Sequence, residues 1–117
     1  MDKPLVYHNP SCSKSRGALE ILAEKDIEPD VVRYLDTPPD RATLERILDA
    51  IDEPPAALVR TDDKKFKELG LRAGDYTDRD AVIALLLEQP ALMQRPVVLV
   101  GDRAVIARPS ERVLELL

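Results

Sequence analysis

The first third of the chain has an apolar pattern that predicts two short strands separated by a helix. Leu5 to Tyr7 forms a short apolar run, and Val31 to Leu35 forms a second run of β-prone residues. Between these runs, the segment from Gly17 to Ala23 places apolar side chains at helical spacing. A strand, a helix and a strand in this order predict a βαβ unit with parallel strands and a right-handed crossover.

The middle of the chain, at about residues 40–89, has helical patterns and few strand signals. A turn sequence at residues 37–40 precedes an apolar stripe with i, i+3, i+4, i+7 spacing, formed by Leu44, Ile47, Leu48 and Ile51. A short helical turn is expected at residues 56–59, and a further helix from Asp62 to Leu69. The segment from Ala81 to Leu87 follows a capping sequence and is apolar on nearly all sides, which predicts a buried helix.

The last part of the chain predicts a hairpin and a final helix. Val97 to Val100 and Ala104 to Ile106 are β-prone runs joined by a turn at residues 101–103. After Pro109, a helix is expected with Val113, Leu116 and Leu117 on one face. The order βαβ, helical block, ββα predicts an α/β fold of thioredoxin-like type. We expect one domain, residues 1–117, in which a helical insertion at about 40–89 interrupts a four-stranded mixed sheet flanked by helices.

Composition narrows the possible partners and sites. The net charge of −5, from 22 acidic and 17 basic residues, disfavours nucleic acid and anionic membranes as partners. No apolar run has membrane-spanning length and the first residues lack a signal-peptide pattern, so we expect a soluble, cytoplasmic protein. The single cysteine excludes an intramolecular disulfide, a Cys-x-x-Cys pair and a multi-cysteine zinc site. No metal site is expected.

The stretch most suggestive of chemistry is the loop between the first strand and the first helix, which contains Cys12. A thiol at a helix start faces N–H groups that have no partner within the helix, and these groups lower its pKa. The first turn carries Lys14 and Arg16 and no acid before Glu20, although helix starts usually favour acidic side chains. These features predict a reactive thiol beside an anion site, because local donors outweigh a screened net charge.

Other polar residues have two possible interpretations from sequence alone. His8, the only histidine, could favour the thiolate as an imidazolium or anchor the loop as a neutral ring. Arg60, Arg95 and Arg108 each end an apolar stretch, and the last two precede proline, which favours an extended backbone at the preceding residue. The three arginines could therefore present guanidinium groups to an oxyanion, or they could be ordinary surface residues.

The sequence HNPSCSKSR at residues 8–16, together with Arg60, the Arg95-Pro96 pair and the segment 107–111, resembles the glutaredoxin-linked arsenate reductases of bacteria. The resemblance covers essentially the whole chain, including residues 34–38. It implies that Cys12 is the nucleophile that attacks arsenate. It also implies a cis peptide bond before Pro96.

The resemblance assigns further roles by position. His8 and Ser15 match residues associated with activation of the thiolate, and Arg60, Arg95 and Arg108 match arginines that bind the oxyanion. We add Arg16 to this predicted oxyanion set because it lies in the first helical turn. No tightly bound cofactor is implied. Glutathione would be a co-substrate, and glutaredoxin would resolve a mixed disulfide on Cys12, since the chain has no second cysteine.

Two other functions are compatible with the same resemblance. Spx-type regulators, which bind RNA polymerase, are related but often carry a Cys-x-x-Cys pair, whereas this chain has Ser15 three positions after Cys12. A general glutathione-dependent thiol oxidoreductase would share the fold and the cysteine. The arginines distinguish these alternatives, because only an oxyanion reductase needs them to converge on the thiol.

Overall fold

A four-stranded mixed sheet forms the centre of the computed structural model, which describes residues 2–117. The strands are β1 (Leu5–His8), β2 (Asp30–Arg33), β3 (Val97–Val100) and β4 (Arg103–Ile106), in the order β2-β1-β3-β4. β1 and β2 are parallel, whereas β1–β3 and β3–β4 are antiparallel. The predicted βαβ unit and hairpin are therefore both present.

Helices cover both faces of this sheet. The α-helices are α1 (Ser13–Glu24), α2 (Arg41–Ala50), α3 (Lys64–Glu68) and α4 (Arg79–Glu88), and 3₁₀ segments span Pro55–Leu58, Ala73–Asp75, Pro90–Leu92 and Ser110–Leu116. Everything from α2 to the third 3₁₀ segment lies between β2 and β3 in the chain, where the helical insertion was predicted. None of the helices within residues 2–117 combines the length and apolarity needed to cross a lipid bilayer.

Aspartates begin three of the four α-helices. The side chains of Asp40, Asp63 and Asp78 accept backbone N–H groups of the first helical turn, with N–O distances of 2.8, 2.8 and 3.2 Å. These acceptors satisfy N–H groups that have no partner within the helix. α1 differs, because Cys12 occupies its N-cap position and its first turn contains no acidic residue.

Two separate apolar cores form because strand residues alternate between the faces of the sheet. One face carries Tyr7, Val97 and Leu99, which pack against the helical insertion. The other face carries Val6 and Val98. These two residues pack with α1 and the C-terminal 3₁₀ segment in a smaller core completed by Ala18, Leu22, Val105, Ala107, Val113 and Leu116.

The final helical segment differs from the prediction in type. Residues 110–116 form a 3₁₀ helix, and its buried residues Ser110, Val113 and Leu116 recur every third position, which matches three residues per turn. Leu117 therefore lies outside the buried face and is 42% exposed, although it was predicted to share an apolar face with Val113 and Leu116.

Two smaller expectations were also wrong. β2 ends at Arg33, so Tyr34 and Leu35 lie beyond the strand, Tyr34 buried and Leu35 exposed. α4 is not buried on all sides, because it packs against α2 and the neighbouring 3₁₀ segments and leaves Leu87 facing solvent.

The peptide bond before Pro96 is cis, as the resemblance implies, and so is the bond before Pro109.

Candidate active site

The loop that joins β1 to α1 presents Cys12 at the start of the helix. The backbone N–H of Cys12 donates to the carbonyl of Asn9 at 3.0 Å, and the Asn9 Oδ1 accepts the N–H of Ser11 at 2.9 Å. These bonds form a tight Asx-type turn of the kind that the Asn-Pro-Ser sequence predicts. The thiol is partly exposed, so an external reactant can approach it.

The thiol of Cys12 is acidic for a cysteine. Partial burial raises its pKa, but the backbone N–H of Ser15, the guanidinium of Arg95 and the backbone N–H of Lys14 favour the thiolate. The positive charge of Arg95 acts in the same direction, and together these groups bring the pKa of Cys12 to about 7. About half of the thiol is therefore ionised at neutral pH, compared with a few per cent for an ordinary cysteine.

Ser15 acts on this site through two different groups. Its backbone N–H favours the thiolate of Cys12. Its hydroxyl is completely buried and accepts the N–H of Asn9 at 3.3 Å, so the side chain braces the turn that presents the thiol. The role of Ser15 in activating the thiolate remains a prediction. The two groups that could perform it are the backbone N–H of Ser15 and the hydroxyl that accepts the N–H of Asn9.

His8 lies at the carboxyl end of β1 and is buried, with 8% exposure. Burial lowers the pKa of its imidazole, and the charges of Arg33 and Arg16 lower it further. The Nδ1 atom has no hydrogen-bond partner among residues 2–117. Of the two protonation states left open by the sequence, the structure favours the neutral imidazole at neutral pH.

Arg95 and Arg108 lie beside the thiol. The Nη1 atom of Arg108 is 3.8 Å from the Cys12 Sγ and also donates to the carbonyl of Arg95 at 3.0 Å. Burial lowers the pKa of Arg95, but the neighbouring Cys12 thiolate and Tyr34 raise it overall. Two permanent positive charges therefore border one sulfur atom, which is an arrangement suited to binding an anion.

A short backbone pairing positions Arg60 and Arg95 relative to each other. Val59 and Met93 form an isolated antiparallel bridge. The N–H of Arg60 donates to the carbonyl of Leu92, and a second bond joins residues 94 and 58, each at 2.8 Å. Because the pairing is antiparallel, Arg60 lies at one end of it, opposite Leu92, and Arg95 follows residue 94 at the other end. The guanidinium of Arg60 forms an ion pair with Asp63 at 2.8 Å.

Arg108 is positioned by a contact between the C-terminal segment and α1. The hydroxyl of Ser110 donates to the carbonyl of Lys14 at 2.7 Å. This approach requires glycine at position 17, because a Cβ there would lie 2.6 Å from the Ser110 Oγ. The pairing of Ser110 with the first turn of α1 thus holds the Arg108-Pro109 segment next to Cys12.

The structure brings some of the predicted site residues together and leaves others apart. Arg95 and Arg108 adjoin the thiol, whereas Arg60 lies near Tyr34, on the same side as Arg95. Arg16 is exposed and is not among the groups that shift the pKa of Cys12; its charge acts on His8 instead. The predicted place of Arg16 in the oxyanion set therefore has no contact with the thiol to support it.

Two polar residues near the site, Asp63 and Tyr34, were not predicted as site residues from the sequence, and a third, Asn9, was predicted only as part of a turn. Asn9 forms the turn, Asp63 pairs with Arg60, and Tyr34 is fully buried beside Arg95 and Asn9. Burial raises the pKa of Tyr34, and the charge of Arg95 opposes this rise. The one available signal was position, because Tyr34 follows β2, which is parallel to β1 and therefore ends at the same edge of the sheet as Cys12.

The arrangement as a whole suits attack by a thiolate on an anion. In such an attack Cys12 would be the nucleophile, and Arg95 and Arg108 would place positive charge beside it. Within residues 2–117, the His, Cys, Asp and Glu side chains form no group of three that could hold a metal ion.

The chain resembles known proteins in sequence and in structure. The model of the ArsC family matches residues 7–116. The chain is 42% identical over 109 residues to an arsenate reductase of Neisseria meningitidis serogroup A, covering 92% of each protein. It is 44% identical over 112 residues to a protein of Escherichia coli K12 named uncharacterized protein YfgD, covering 95% of this chain and 93% of that protein.

Among solved structures, an arsenate reductase from Vibrio cholerae is similar along nearly the whole chain. The two superpose with a TM-score of 0.89 at 37% sequence identity, and the match covers 99% of this chain and 98% of the other. The mixed sheet flanked by helices is thus the thioredoxin-like arrangement that the order of elements predicted.

Proposed function

The chain belongs to the ArsC family, and we propose that it is an arsenate reductase in which Cys12 is the nucleophile. One observation supports this proposal above the others: a thiol with a pKa of about 7 lies beside the guanidinium groups of Arg95 and Arg108. A general thiol oxidoreductase needs the acidic thiol, but it has no need for two arginines at the sulfur. An oxyanion reductase needs both.

In the first step, the thiolate of Cys12 attacks the arsenic atom of bound arsenate. A sulfur–arsenic bond forms and one arsenate oxygen leaves as water after protonation. Arg95 and Arg108 offset the negative charge of the substrate, which otherwise repels the thiolate. Arg60 is the third member of the proposed oxyanion set, and its approach to the anion comes from the side of Tyr34.

Reduction then requires a second thiol, which we propose is glutathione. Arsenic gains two electrons in passing from arsenate to arsenite, and the sulfur atoms of Cys12 and glutathione lose two electrons by forming a mixed disulfide. Glutaredoxin would attack the glutathione sulfur and release Cys12 as a thiol. The single cysteine of the chain fits this scheme, because the protein itself has no resolving thiol. The cytoplasm, which is rich in glutathione, is the compartment that suits this chemistry.

The proposal is tested by following NADPH oxidation through glutathione reductase in the presence of glutathione, glutaredoxin and arsenate. We expect oxidation that depends on arsenate and is lost in Cys12→Ser, because a hydroxyl is not ionised at neutral pH and forms no disulfide. Cys12→Ser preserves the size of the side chain, so folding is checked by its circular dichroism spectrum.

The other possible outcomes of this assay test different parts of the proposal. Arsenate-dependent turnover that persists in Cys12→Ser would exclude Cys12 as the nucleophile. Turnover of a glutathione mixed disulfide without any effect of arsenate would favour a general thiol oxidoreductase. Omission of glutaredoxin tests the reductant separately. If glutaredoxin is the reductant, turnover is lost without it, but arsenate still binds at Cys12 and protects the thiol from alkylation.

A further inference from the structure

Asp63 uses one carboxylate to contact both a helix and an arginine. Its Oδ1 accepts the backbone N–H of Lys65 at 2.8 Å, as the N-cap of α3. Its Oδ2 lies 2.8 Å from the Nη1 of Arg60. The carboxylate is therefore fixed to the backbone on one side, so it cannot follow the guanidinium if Arg60 moves away.

The ion pair of Arg60 and Asp63 is more enclosed than most ion pairs of this protein. The two side chains are 18% and 23% exposed, whereas those of Lys64 and Glu68, in the same helix, are 89% and 62% exposed. Fully exposed pairs order their side chains only weakly, because water screens the charges. The enclosed pair is thus able to restrict the rotamers of Arg60.

In its paired orientation Arg60 lies near Tyr34, a residue that borders the candidate site. Its charge acts on the buried hydroxyl of Tyr34, which also borders Arg95. Arg60 would otherwise be repelled by two like charges, those of Arg95 and Arg108, when no anion is present. The carboxylate of Asp63 opposes that repulsion.

We propose that Asp63 is a positioning residue that holds Arg60 toward the oxyanion site, an inference that depends on the proposed function. Without the carboxylate, Arg60 has a long side chain with many rotamers, and an incoming anion has to order it. Loss of the Asp63 carboxylate should therefore weaken anion binding and leave the pKa of Cys12 unchanged, because Arg60 is not among the groups that shift that pKa.

The test is the concentration of arsenate that protects Cys12 from alkylation by iodoacetamide. Asp63→Asn retains a side-chain acceptor for the N–H of Lys65 and removes the charge that pairs with Arg60. We expect the half-protecting concentration to rise about fivefold, within the range for loss of a partly buried ion pair. In the coupled assay the KM for arsenate should rise by a similar factor, with kcat changed by less than about twofold.

Asp78→Asn is the matched control. Asp78 also caps a helix through a backbone N–H, that of Ala81, and forms no ion pair among residues 2–117. We expect the same protection by arsenate as in the unmodified protein. Without arsenate, the pH dependence of alkylation should be the same in both variants and in the unmodified protein.

The inference is overturned if Asp63→Asn requires no more arsenate than the unmodified protein, or requires less, which would mean that Asp63 competes with the anion. It is also overturned if Asp63→Asn weakens protection equally in an Arg60→Ala background, because the effect would then not pass through Arg60. Failure of arsenate to protect the unmodified protein would instead reject the oxyanion site itself.

Discussion

At the scale of single residues, the acidity of Cys12 depends on a small number of donors. Arg95 contributes both a hydrogen bond and a charge to the thiolate. We expect Arg95→Ala to raise the pKa of Cys12 by about one unit, since the thiolate loses two stabilising contributions. Alkylation by iodoacetamide at pH 6 should then slow about tenfold, measured as a pH–rate profile.

Arg72→Ala is the control for this change, because Arg72 is exposed and does not act on the thiol. Its pH–rate profile should match that of the unmodified protein. An unchanged profile in Arg95→Ala would mean that the backbone N–H groups of α1 account for the acidity without the arginine.

The sequence was sufficient to predict that the thiol of Cys12 is reactive, but it was insufficient to predict which side chains surround that thiol. The sequence Asn9-Pro10-Ser11 predicts a turn before Cys12, and the absence of acids before Glu20 predicts a helix start that favours an anion. Both features depend only on neighbouring residues. The contacts of Cys12 with Arg95 and Arg108 join positions more than 80 residues apart, so no local pattern predicts them. They became predictable only through the resemblance to a known family.

At the scale of elements, the packing of the C-terminal segment on α1 decides how firmly Arg108 is held. Gly17→Ala would place a Cβ 2.6 Å from the Ser110 Oγ. We expect a loss of about 1–3 kcal/mol in the free energy of unfolding, because Ser110 must shift and lose its hydrogen bond to the Lys14 carbonyl. Urea denaturation measures this loss.

Gly74→Ala is the matched control, because a Cβ added at this position would meet no atom within 4 Å and the φ of Gly74 is not in the left-handed region. We expect this substitution to leave stability unchanged or to raise it by up to about 1 kcal/mol. Equal losses in both variants would indicate a general cost of replacing glycine and not a clash with Ser110.

The elements were more predictable than the site because most of them follow from local patterns. The stripe in α2 follows from the spacing of its apolar residues, and β1 and β3 follow from short continuous runs of apolar residues. The 3₁₀ form of residues 110–116 was not predicted, because a short apolar pattern fits both helix types. Packing against α1 and β4 selects the three-residue period.

At the scale of the whole molecule, burial of His8 links stability to pH. The folded-state pKa of His8 is lowered, so its neutral form stabilises the fold above the unfolded-state pKa of about 6.5. That contribution is lost as the pH falls from about 6.5 through the folded-state pKa. We expect the free energy of unfolding to decrease between pH 7 and pH 5, measured by urea denaturation.

His8→Gln removes the titrating group and retains a polar side chain. The decrease in stability between pH 7 and pH 5 should be smaller in this variant, whatever its stability at pH 7. An equal decrease in both proteins would assign the pH dependence to other groups.

The two cores on opposite faces of the sheet divide the site between them. Cys12 begins the helix of the smaller core, whereas Arg60 and Arg95 are attached to chain that packs in the larger one. We expect a substitution that loosens the larger core to displace these two arginines while Cys12 and Arg108 keep their places on the smaller core. If the proposed function is correct, such a substitution alters how the anion is held and leaves the reactive sulfur unchanged.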